Sequence, residues 1–130
     1  MKRFFLTFAM CTFFAIAASA QQKEASIAVI DSAVFDFGNI NEADGPVTHV
    51  FKIKNEGELP LVITKVQASC GCTTPDWTKE PIAPGKTGEV KATYDPTGRP
   101  HGFTKTISVY SNGKTGTYIL TIKGNVIPKQ

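Results

Sequence analysis

Apolar and polar positions alternate through most of the chain. In "VTHVFKIK" (47–54), Val47, His49, Phe51 and Ile53 fall on one face, and Thr48, Val50, Lys52 and Lys54 on the other. In "GEVKATY" (88–94), Val90, Ala92 and Tyr94 oppose Glu89, Lys91 and Thr93. "LVITKVQAS" (61–69), "FTKTISVY" (103–110) and "TYILTIK" (117–123) are rich in β-branched and aromatic residues. A period of two with such residues predicts half-buried strands. "VFDFG" (34–38) predicts one more, with Phe35 and Phe37 buried and Gly38 ending it.

The connectors agree. "NEGELP" (55–60) and "DPTGRPHG" (95–102) are turn clusters. Pro84-Gly85 suits a type II turn, because Pro presets φ and Gly accepts positive φ. Asn112-Gly113 is a hairpin signal between two strand runs. No window holds a helical stripe over about ten residues, and short strands spaced near ten residues predict an antiparallel sandwich or barrel.

The first twenty residues follow another pattern. Lys2 and Arg3 precede "FFLTFAMCTFFAIAA", and Ala18-Ser19-Ala20 supplies a small-x-small cleavage site. This predicts a secretory signal peptide over 1–20, because a spanning helix needs about 20 apolar residues. Cys11 lies inside the apolar run after Met10, so it does not mark a lipoprotein and leaves with the signal. The expected organisation is signal 1–20, lead-in 21–33, one domain 34–126 and a tail 127–130.

Cleavage changes the charge. Of 130 residues, 110 remain; bases fall from 14 to 12 against 11 acids, so the net charge becomes +1 rather than +3. That balance argues against nucleic acid as a partner and against an anionic membrane surface. No membrane insertion is expected after cleavage, and the product is periplasmic or extracellular. Two cysteines remain, Cys70 and Cys72, in a compartment where disulfides persist.

Enzyme signatures fail. There is no G-x-S-x-G, phosphate-cradling glycine loop or H-E-x-x-H. Asp36-Phe37-Gly38 spells a kinase triplet without the kinase's partner motifs. His49 reads as a packed sheet residue and His101 as an exposed turn residue. No acids are obviously paired. The chain is therefore expected not to be an enzyme.

Cys70-Gly71-Cys72 is the candidate site. A disulfide across one residue requires the chain to bend, which Gly71 permits. The loop closed is so short that it restricts the unfolded chain little, and such a ring is strained and easily reduced. Redox proteins more often use Cys-x-x-Cys at a helix N-terminus, whereas this pair follows a strand with no helix evident after it. Two thiolates are half of a structural zinc site, and no histidine is placed to complete it. Copper(I) accepts two thiolates and is the one cofactor the motif allows; otherwise none is expected. Structural, redox and metal roles stay open at this point. Trp77, the only tryptophan, reads as a core anchor or, beside the cysteine turn, as a candidate interaction surface.

"FDFGNI", "HVFKIKNEGELPLVITKVQASCGCTTPDW" and "PIAPGKTGEVKATYDPTGRPHGFTKTISVYSN" together resemble the bacterial domain family DUF1573, from Val34 to Val126. Ser69-Cys70-Gly71-Cys72-Thr73 is the most specific stretch. The resemblance implies an exported Bacteroidetes-type protein and an immunoglobulin-like sandwich of about seven strands, similar to major sperm protein and Hydin domains. It implies no reaction. The expected function is a non-catalytic module that contacts a protein partner or serves the cell envelope; the alternative is a thiol protein acting through Cys70 and Cys72.

Overall fold

The alternation over 47–54 becomes β3 (Val47–Asn55), in which Phe51 and Ile53 are buried between lysines that face water. The same logic makes β6 (Thr87–Tyr94), with Val90, Ala92 and Tyr94 buried. In the computed structural model, residues 23–29 and 31–130 are described; the expected signal peptide lies outside them. The remaining strands are β1 (Ile27–Val29), β2 (Val34–Asn41), β4 (Ile63–Ala68), β5 (Thr73–Trp77), β7 (His101–Ser111) and β8 (Thr117–Ile127). A 3₁₀ turn, Glu42–Asp44, follows β2.

Two four-stranded sheets form, in the orders β1-β3-β6-β5 and β2-β8-β7-β4. The inward residues of both interleave as one core that includes Phe51, Ile53, Val90, Ile107, Leu120 and Ile122. Each such side chain contributes roughly 1.5–3 kcal/mol when buried. An aromatic group fills one end: His49 stacks on Phe35 at 3.6 Å between ring centroids, and Tyr94 stacks on Phe103 at 3.9 Å. The expected sandwich is therefore present.

The eight strands among the described residues fit the expected count of about seven, but five local features differ from expectation. Thr73–Trp77 is a strand. One pairing, β2 with β8, is parallel. Gly38 does not end β2: at φ 68° it makes a bulge that shifts the register between Asp36 and Asn39, and the strand runs on to Asn41. Phe35 and Phe37 are half-buried there rather than fully buried. Finally, β1 falls inside the 21–33 segment expected as a lead-in, and Ala25 just before it is buried at 2% exposure.

Turn chemistry fixes the ends. Gly85 has φ 76° and Lys86 N–H donates to the Ala83 carbonyl (2.9 Å), as expected of Pro84-Gly85. Asn112 and Gly113 do lie between β7 and β8, but Gly116, not either of them, has positive φ. Asn112 instead uses its side chain as a strand would. It accepts from Val62 N–H (2.8 Å) and donates to the Pro60 carbonyl (3.0 Å), which anchors the start of β4.

Candidate functional site

Strands β4 and β5 are edges of different sheets on the same side of the sandwich. Residues 69–72 carry the chain between them, so Cys70-Gly71-Cys72 is the crossover itself. Main-chain bonds anchor both ends. Ser69 N–H donates to the Thr106 carbonyl (2.9 Å), and its hydroxyl accepts from Thr106 N–H (3.1 Å). Across the gap, Asp95 N–H donates to the Cys72 carbonyl (2.9 Å), and Thr73 N–H closes the turn on the Cys70 carbonyl (3.3 Å).

Cys70 and Cys72 are joined in a disulfide, with their Cα atoms 5.3 Å apart. The two sulfurs differ in surroundings. Cys70 is half-buried, and its Sγ accepts the Cys72 N–H (3.0 Å). Cys72 is 3% exposed, part of the core, with the Thr73 hydroxyl 3.7 Å from its sulfur. Gly71 is exposed and lacks positive φ, so the bend expected to depend on glycine is one any residue makes. A Cβ added there would meet nothing within 4 Å outside its chain neighbours.

The two edges differ in what they offer. In β5, the bonds Asp95 N–H to Cys72 carbonyl (2.9 Å) and Thr78 N–H to Glu89 carbonyl (3.0 Å) set the ladder's phase. Antiparallel ladders alternate, so Thr73, Pro75 and Trp77 turn their main chain outward. None of them presents a free donor. Thr73 N–H is taken by Cys70, Pro75 has no N–H, and Trp77 N–H donates to the Asp76 carboxylate (2.9 Å).

In β4, the Ser69–Thr106 bond sets the phase in the same way. Lys65 and Gln67 face β7, whereas Val66 and Ala68 turn N–H and C=O outward. No strand is hydrogen-bonded to β4 on that side, although β5 lies close by across the crossover and Val66 is buried by its side chain. The exposed side chains on the sheet's outer face there are Lys65 and Gln67, and neither β4 nor β7 contains an acid. A polar hollow of about 310 Å³ lies beside this edge, lined by residues that include Gln67, Ser69, Thr106 and Tyr110.

Other expected site residues lie elsewhere. Trp77 is at the far end of β5 from the cysteines, about 16 Å away at about 3.3 Å per residue. It packs half-buried against the core under the Lys79 ammonium, so the structure does not bring it together with the disulfide. Gly38, Gly102 and Gly124 leave a shallow hollow of about 460 Å³ over β2, β7 and β8. Its lining holds Asp36 and Lys123 but no cysteine, histidine or serine. Among the described residues, no three His, Cys, Asp or Glu side chains cluster as a metal site needs. No helix among the described residues is long and apolar enough to cross a membrane.

Two titrating groups feel the fold. Burial pushes the His49 imidazole below its ordinary value, partly offset by the negative charge of Asp31. Glu42 is lowered because Gly98 N–H and Lys129 N–H both donate to its carboxylate (3.1 Å each).

Residues 28–126 match the family described as "Protein of unknown function (DUF1573)". The chain belongs to DUF1573. No curated protein matches it. Among solved structures, this DUF1573 chain is similar to a protein of unknown function from Porphyromonas gingivalis: TM-score 0.67, 20% identity, over 88% of this chain and 51% of that one. It is similar to the ASH / PapD-like domain of human CEP192, at TM-score 0.64 and 8% identity over 100% of this chain and 99% of that one. A third likeness is to the VesB protease of Vibrio cholerae, at TM-score 0.57 and 16% identity, over 79% of this chain and 31% of that one. The chain thus spans about half of the Porphyromonas protein and under a third of the Vibrio one. At these identities the likenesses establish a shared immunoglobulin-like fold.

The residues missed from sequence are those of the β4 edge, Val66 and Ala68, and the anchor Ser69. Val66 and Ala68 carry no chemical signature, since only ladder phase exposes their amides. Ser69 lies within the motif, and a serine at the end of a strand run is a signal for side-chain bonding to a neighbour.

Proposed function

We propose that this DUF1573 chain is an exported, non-catalytic immunoglobulin-like module that binds a partner protein by adding a strand to β4. The observation that carries this reading is the contrast between its two neighbouring edges. β5 has its outward donors removed or capped, as natural sheets do to prevent adventitious pairing. β4, on the same side, keeps the amides of Val66 and Ala68 open. Main-chain bonds to such an edge supply affinity, and side-chain neighbours supply selectivity. Lys65 on the outer face of β4, with no acid on β4 or β7, favours an extended segment that carries Asp or Glu. Export is supported by the signal pattern over 1–20.

Extended peptides selected on the purified domain test the reading. Ala68→Pro removes one outward N–H and leaves the bonds to β7 intact, so the fold is retained. The expected result is an affinity loss of about tenfold or more, the size of one main-chain hydrogen bond with its neighbour displaced. Binders whose affinity is unchanged by Ala68→Pro would refute strand addition at β4.

A further inference from the structure

We propose that the Cys70–Cys72 disulfide is a thiol–disulfide exchange site, with Cys70 as the sulfur attacked and Cys72 as the sulfur released. This goes beyond the docking role and does not depend on it. Three independent observations carry it.

The disulfide is not needed to hold the crossover. Ser69 is tied to Thr106 by two bonds on one sheet, and Cys72 to Asp95 on the other. Thr73 N–H closes the turn between them. A bridge across one residue adds little to that, because it restricts so short a loop.

The two sulfurs are unequal. Cys70 is half-buried at the surface of the turn, while Cys72 is 3% exposed and packed in the core. An incoming thiolate therefore reaches Cys70 and not Cys72. The released Cys72 sulfur lies beside the Thr73 hydroxyl at 3.7 Å, a donor able to stabilise a thiolate.

Glycine at position 71 answers no demand of the fold. Its φ is not positive, and an added Cβ would meet nothing within 4 Å beyond the two cysteines that flank it. What glycine does provide is an exposed turn with no side chain next to Cys70, which keeps the surface around that sulfur uncrowded. Reactivity in exchange depends on such access.

The step balances with a dithiol protein as the reductant. Its thiolate attacks Cys70 Sγ, a bond forms between those two sulfurs, and the Cys70–Cys72 bond breaks with the electron pair leaving on Cys72. The partner's second thiolate then attacks its own sulfur in the mixed disulfide and expels the Cys70 thiolate. Two electrons have passed from the partner, which ends as a disulfide, to this chain, which ends as a dithiol after taking up two protons. The reverse sequence oxidises the partner.

Glutathione disulfide serves as the probe, with adduct formation followed by mass spectrometry on two single variants. In Cys72→Ser, Cys70 is expected to gain one glutathione at least about tenfold faster than Cys72 does in Cys70→Ser, because exposure governs the rate. In the otherwise unchanged chain, Gly71→Val is expected to slow reduction of the disulfide by glutathione by about tenfold, with Gly71→Ala intermediate. Reduction by dithiothreitol should leave the far-ultraviolet circular dichroism and the melting temperature unchanged within a few degrees. Equal or reversed rates for the two cysteines would overturn the assignment. So would unfolding on reduction, which would make the bond structural. Should a cysteine variant fail to fold, the Gly71 series and the reduction melt decide alone.

Discussion

Asn55 is wholly buried, and its amide reaches three separate segments. Its Oδ1 accepts from Ser26 N–H (3.3 Å) and Gly57 N–H (2.9 Å), while Nδ2 donates to the carbonyls of Leu59 (2.7 Å) and Ile82 (2.9 Å). In sequence it heads a turn cluster. The turn was legible from composition, but the long-range partners that bury its first residue were not. The cysteines show the same limit. Their spacing marked a site, yet only the fold puts one sulfur in the core and the other at the surface. His49 was legible in part: its place in the alternation put it on the inward face with Phe51, where it stacks on Phe35. Burial lowers its pKa, so it is neutral in the fold and binds a proton more readily when unfolded. Its contribution is therefore fully present above its unfolded value near 6.5 and is lost as pH falls below that. Denaturant midpoints measured from pH 7.5 to 5 should fall for the native chain and fall less for His49→Phe. Equal slopes would show that His49 does not couple to folding. Glu42 has the usual carboxylate sign, and its contribution disappears only as pH falls through the acid range.

At the scale of elements, the strands with clean alternation were read correctly, because one face of each meets the core. β5 was not. Pro75 and "TTPDW" carry no period-two pattern, and Pro is rare in strands except on edges. The edge position that makes Pro75 admissible is a property of the sheet order. The parallel pairing of β2 with β8 was likewise invisible, since it joins segments separated by most of the chain. Pro75 and Asp76 are the residues that blunt β5, by lacking a donor and by capping that of Trp77. Replacing both, in Pro75→Val with Asp76→Ala, restores two outward N–H groups. Sedimentation velocity is expected to show concentration-dependent association for this variant and a monomeric or unchanged state for the parent chain. No change in association would mean that something other than these two residues protects the edge.

For the whole molecule, eight strands close one core between two sheets, and the family match over 28–126 covers nearly all of it. The fold was legible because alternation, turn chemistry and composition all point the same way. Function was less so, since sandwiches of this kind serve unrelated tasks. What distinguishes this one is the side where β4, the cysteine crossover and β5 meet, with one edge open and one closed. Amide hydrogen exchange, residue by residue, tests that claim most directly. In the free domain, Val66 and Ala68 should exchange much faster than Lys65 and Gln67, whose amides face β7. With a selected peptide bound, Val66 and Ala68 should become protected while β2 and β8 stay unchanged. Slow exchange at Val66 and Ala68 in the free domain, or peptide-induced protection confined to the hollow around Gly38, would contradict the account.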